Sequence, residues 1–91
     1  MTDADKNELI EAMTDNLQML RVRLGLTQVQ MAQMIGVGRQ TYLIIENKKR
    51  KMSWNMFLSL LMVFTKNKET DPLLNVIGIY TDELNDYLKL Q

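Results

Sequence analysis

Arg39, Gln40 and Thr41 follow directly on a Gly36-Val37-Gly38 turn. An arginine matches the two acceptors on the edge of a guanine, a glutamine matches an adenine, and a threonine touches a base edge or a phosphate. A little further on stands Lys48-Lys49-Arg50-Lys51, four cations in a row. Such a run attracts phosphates, or simply forms a solvated loop. Other chemistry is poorly served. The chain has no histidine and no cysteine, so the commonest general base, the thiol nucleophile, the disulfide and the usual zinc ligands are all missing. Its carboxylates stand mostly at helix starts, where capping accounts for them. No catalytic residue, metal site or cofactor is expected, and the chain does not read as an enzyme.

The 91 residues carry no net charge, yet the charges are unevenly spread. Residues 1–15 set Asp3, Asp5, Glu8, Glu11 and Asp15 against Lys6, a balance of −4. Residues 16–65 set Arg21, Arg23, Arg39, Lys48, Lys49, Arg50 and Lys51 against Glu46 alone, a balance of +6. Residues 66–91 set Lys66, Lys68 and Lys89 against Glu69, Asp71, Asp82, Glu83 and Asp86, a balance of −2. A basic middle between acidic ends points to a polyanionic partner more than the total does.

Elements able to position these residues are helical, since apolar residues recur at helical spacing and no stretch alternates with period two. Leu9, Met13, Leu17, Leu20 and Leu24 form one stripe of a first helix. Asp5 and Glu8 offer its capping box, and Gly25 ends it. Thr14, Asp15 and Asn16 prefer caps to helix interiors, leaving open a break in the middle. Thr27 and Gln30 form the capping box of a second helix, with Leu26 and Met31 as its hydrophobic staple and Gly36 as its stop. A third helix runs from Arg39 to about Asn47, with Tyr42 and Ile45 on its buried side. Ser53 caps a fourth, whose nearly apolar run from Met56 to Phe64 is about half of a bilayer span. Asp71 and Pro72 read as the N-cap and first residue of a short fifth helix. Thr81, Asp82 and Glu83 open a last helix over about 81–90. The eight methionines read as flexible core filler, with a methionine-lined partner groove as the alternative. The expectation is one all-α domain over 1–91, with a core over about 16–78 and a paired-helix unit over about 27–47. No secretory signal opens the chain and no membrane span is visible, so a soluble, cytoplasmic protein is expected.

The order Leu20-Arg21, Gly25-Leu26-Thr27-Gln28, Met31-Ala32, Gly36 to Tyr42 and Ile45 to Arg50 resembles the Xre-type helix-turn-helix family of lambda repressor and Cro. The resemblance extends over about Asn16 to Phe64. It implies a repressor-like five-helix DNA-binding domain, here with an N-terminal helical extension and a C-terminal helical segment, and a bacterial or phage origin. It further implies that Arg39, Gln40 and Ile44 face base edges and that Thr41 contacts base or backbone. Gln28, Asn47, Lys49, Arg50 and Lys51 would lie along phosphates, and Arg21 and Glu46 would form an internal ion pair. Five positions depart from the family pattern. Gly38 stands for a serine cap, Lys48 for a glycine and Met52 for a proline, while Leu43 and Ile44 replace small or polar residues.

These features imply a sequence-specific regulator that reads double-stranded DNA without a cofactor. An alternative is an antitoxin-like, protein-binding module of the same fold, with exposed Leu43 and Ile44 or the C-terminal tail as its contact surface. Ile79, Tyr80, Leu84, Tyr87, Leu88 and Leu90 are too apolar for a solvated tail. They either assemble a homodimer or fold back on the chain's own core.

Overall fold

A computed structural model describes residues 1–89 of the chain. Six helices and no strand occur among the described residues: α1 (Asp3–Arg23), α2 (Gln28–Ile35), α3 (Arg39–Glu46), α4 (Trp54–Lys66), α5 (Asp71–Val76) and α6 (Asp82–Leu88). Leu90 and the expected end of the last helix lie outside the described residues.

The first helix starts a turn earlier than Asp5 and Glu8 suggest. Thr2 is its N-cap, with the Thr2 hydroxyl accepting from the Asp5 N–H at 3.2 Å and the Asp5 carboxylate accepting from the Thr2 N–H at 2.9 Å. That backbone N–H, followed by the Thr2 hydroxyl, holds the Asp5 carboxyl below its ordinary value. The helix then runs unbroken through Thr14-Asp15-Asn16. Thr14 donates to the Ile10 carbonyl at 2.8 Å and Asn16 to the Ala12 carbonyl at 2.7 Å, so side chains that compete with helix are spent on its own carbonyls. Burial of Leu9, Ile10, Met13, Leu17 and Leu20 along one face secures the rest.

Thr27, Ser53 and Thr81 cap α2, α4 and α6 through their hydroxyls. At α5 the N-cap position falls on Thr70 rather than Asp71, which takes the first helical turn beside Pro72. Thr70 is fully buried, and its hydroxyl lies 2.7 Å from the Phe64 carbonyl and 3.2 Å from that of Asn67. It therefore closes the end of α4 instead of capping α5.

One apolar core joins the helices. α1 packs on α3 and α4, α2 on α3 and α4, and α5 on α4. Tyr42, Phe57 and Phe64 are its largest fully enclosed side chains, and Trp54 stacks on Phe57 with ring centroids 4.8 Å apart. Met13, Met31, Met52 and Met56 are core residues, whereas Met19, Met34 and Met62 are exposed; the filler reading holds for only part of the set. Met34 and Met62 line an open apolar groove of about 440 Å³ between α2 and α4. The C-terminal segment folds back: Ile79 and Leu84 are completely buried in the same core, while Tyr87 and Leu88 are each 45% exposed. No described helix is long and apolar enough to cross a membrane.

Candidate nucleic-acid interface

The turn between α2 and α3 is made by Gly36, whose φ of 73° is left-handed. A side chain is strained there, so glycine ends α2 at little cost. Gly38 is the N-cap of α3 in an extended conformation, and no side chain bonds its first N–H groups. The positive end of the α3 dipole therefore faces outward. Arg39 and Gln40, the first two residues of α3, are exposed, Thr41 is half-buried, and Ile44 is exposed one turn on. Leu43 is half-buried rather than exposed, because it leans toward the packed side of the helix.

Immediately after α3 the chain turns sharply at Lys48, whose φ of 64° makes it the one non-glycine residue with positive φ among the described residues. The substitution of lysine for the family's glycine leaves the left-handed turn in place, with the strain borne by a Cβ. Asn47, Lys48, Lys49, Arg50 and Lys51 are all exposed around this turn. Lys48 Nζ lies 3.2 Å from Asp15 Oδ1, and Lys51 Nζ donates to Asn7 Oδ1. Lys49 and Arg50 have no ion-pair partner among the described residues. Met52, at the family's proline position, is enclosed in the core and anchors the end of the loop.

Behind α3, Glu46 holds the arrangement together. Its Oε1 accepts from Arg21 Nε at 2.9 Å and from the Tyr42 hydroxyl at 2.8 Å. Its Oε2 accepts from Arg21 Nη2 at 3.0 Å and from Gln28 Nε2 at 2.6 Å. Arg21 Nη1 adds a bond to the Leu26 carbonyl at 2.8 Å. The Glu46 and Arg21 side chains are only 4% and 11% exposed, so the pair operates away from bulk water. Burial pushes the Glu46 carboxyl up, but donors on Arg21, Tyr42 and Gln28, together with the Arg21 charge, outweigh it and hold the carboxyl below its ordinary value. The bond to Glu46 raises Arg21, while burial and then Glu46 raise Tyr42. Glu46 is thus an anion, and Tyr42 a neutral donor to it.

Residues 17–53 match a family model, that of the helix-turn-helix. That model describes helix-turn-helices of the Xre, lambda-repressor-like type, which the matched segment resembles. The segment takes in the last third of α1, all of α2 and α3, and the basic loop. The first two thirds of α1 and helices α4 to α6 lie outside it. No curated protein and no solved structure matches the chain. The helix-turn-helix family binds DNA and is not a family of enzymes.

Two members of the Glu46 cluster escaped the sequence reading. The sequence pattern places Tyr42 in the core alone, although it stands four residues before Glu46 on one helical face, a spacing that brings side chains together. Gln28 was assigned to phosphate, yet its amide is also committed to Glu46. One of its two amide hydrogens serves that bond, which leaves one for another acceptor.

Proposed function

We propose that the protein is a sequence-specific transcriptional regulator that lays α3 of its helix-turn-helix in the major groove. The observation that carries this reading is the exposed, uncapped first turn of α3 bearing Arg39 and Gln40, with a loop of cations at the other end of the same short helix. Arg39, Gln40, Thr41 and Ile44 are the base-reading residues, with Ile44 suited to a thymine methyl. Gln28, Asn47, Lys49, Arg50 and Lys51 lie along phosphates and set the register. DNA binding of this kind rests on positioning and needs no cofactor.

A single unit spans few base pairs, so a homodimer on two half-sites about 34 Å apart is the working assembly. Tyr87 and Leu88, still 45% exposed after Ile79 and Leu84 are buried, are the residues of the C-terminal segment free to make that contact. The second reading, a protein-binding module, is favoured by the apolar groove of Met34, Ile35, Leu58, Met62 and Val63.

The test is selection of random duplexes on the purified protein, followed by sequencing of the survivors. A recovered motif with paired half-sites supports the regulator and its dimer. Survivors no different in sequence from the starting pool overturn sequence-specific reading and leave the protein-binding module.

A further inference from the structure

We propose that Glu11 and Asp15, on α1 ahead of the helix-turn-helix segment, are an electrostatic brake on the basic loop and set DNA affinity below the level its four cations alone would give. The proposal rests on the DNA-binding reading above.

Asn7, Glu11 and Asp15 follow one another at four-residue steps, which places them on one face of α1. That face and the basic loop enclose an open cavity of about 410 Å³, lined by Asn7, Glu11 and Asp15 on one side and by Lys48 to Lys51 on the other. Two contacts bridge it, Lys48 Nζ to Asp15 Oδ1 at 3.2 Å and Lys51 Nζ to Asn7 Oδ1. All three α1 residues precede the matched segment 17–53, so they are features of this chain's extension and not of the helix-turn-helix unit.

Stability does not account for the acids. The Lys48 and Asp15 side chains are 60% and 66% exposed, and an ion pair so well hydrated contributes little to folding. Its field is another matter. At physiological salt, charges still act over about 8 Å, which takes in any phosphate seated on the loop. Asp15 competes with that phosphate for Lys48 and repels it directly. Glu11, facing the same cavity, repels it without a matching contact. A carboxylate about 8 Å from a phosphate in water changes binding by roughly two-fold for each such neighbour. Asn7 holds Lys51 through a neutral oxygen, so it orients the loop without adding to the repulsion.

The experiment measures fluorescence anisotropy of a labelled random-sequence duplex titrated with the full chain, as wild type, Glu11→Gln/Asp15→Asn, Asn7→Asp and Asp71→Asn. The double variant is expected to bind about five-fold more tightly at low salt and to steepen the salt dependence by about one unit as a freed cation meets a phosphate. Its gain fades at high salt, and its unfolding temperature stays where it was. Asn7→Asp, which adds a carboxylate on the same face, weakens binding. Asp71→Asn at the start of α5 removes one negative charge away from this cavity and leaves binding unchanged. A wild type that binds duplex, with a double variant that binds no better, overturns the brake alone. Equal tightening by Asp71→Asn overturns it too, since overall charge is then the cause. A wild type that binds no duplex at any salt overturns the DNA-binding reading and the brake with it.

Discussion

Replacing Glu46 by Gln keeps the size of the side chain and removes one charge, and it probes the point where three helices meet. The carboxylate accepts four hydrogen bonds, two from Arg21 and one each from Tyr42 and Gln28. A glutamine has one acceptor oxygen, and its NH₂ must face two of those donors, so at least two bonds are lost. Hydrogen bonds to charged groups contribute about 1.5–3 kcal/mol each, and breaking one partner of a buried pair costs about 3–5 kcal/mol. Both routes give a loss near 3–4 kcal/mol. For a domain of this size that lowers the melting temperature by roughly 12–32 °C.

Chemical denaturation of the wild type, Glu46→Gln, Arg21→Met and the double variant checks the figure, with the double losing less than the sum of the singles. The pH dependence carries its own sign. Because the folded carboxyl is held below its ordinary value of 4.5, its stabilisation is fully present above that value and is lost as pH falls through the folded one. The gap between wild type and Glu46→Gln should therefore be widest near neutrality and close in acid. Strictly additive losses, or a gap that persists unchanged at low pH, would refute the hub.

Three further outcomes follow from the same geometry. Arg39→Ala or Gln40→Ala should cost about 1–3 kcal/mol on the selected site and relax preference at one base pair, whereas Lys49→Ala or Arg50→Ala should weaken binding to every duplex and flatten the salt slope by about one unit; equal losses on specific and random DNA by all four contradict the division of roles. Lys48→Gly relieves a left-handed residue that costs about 1–2 kcal/mol, offset by the looser unfolded chain of about 0.5–1 kcal/mol. The denaturation midpoint should rise slightly with an unchanged slope, and a fall refutes the strain. Gly38→Ser should stabilise α3 by a few tenths of a kcal/mol or so, since the backbone there suits any residue and the nearest atom to a new Cβ is Thr41 Oγ1 at 3.9 Å; a lower melting temperature counts against it.

Much of the fold was legible because its signals are local. Thr27, Ser53 and Thr81 each precede an apolar-periodic run and cap it in the structure. What these signals missed lay in competing caps and in bonds that cross from one helix to the next. Asp5 ranks at least as high as threonine as a cap, yet here it serves as the reciprocal partner of Thr2, and Lys6 beside it lies over the rings of Trp54 and Tyr87. Thr70 was overlooked because its hydroxyl serves the end of the preceding helix. The candidate site divides in the same way. The turn glycines and exposed first residues of α3 can be read from a short window. Arg21 and Glu46 stand 25 residues apart, and only the family resemblance suggested their pairing.

The Glu46 cluster also explains how so short a recognition element keeps its aim. α3 has eight residues and no side-chain cap at its start, so little within the helix itself fixes its position. Apolar packing of Tyr42 and Ile45 against the core buries its inner face, but such packing has no preferred direction and tolerates small slides. Directional bonds are confined to its far end, where Glu46 is gripped by Arg21 of α1 and by Gln28, the first residue of α2. A carboxylate there is unfavourable against the negative end of the helix dipole, and the Arg21 guanidinium, doubly bonded to it, offsets this. One carboxylate thus ties the end of α3 to the start of the helix that carries Gln28, the glutamine proposed to face a phosphate. Spacing between the residues proposed to read bases and those proposed to grip the backbone is thereby set by hydrogen-bond geometry, and a change at Glu46 disturbs folding and recognition together.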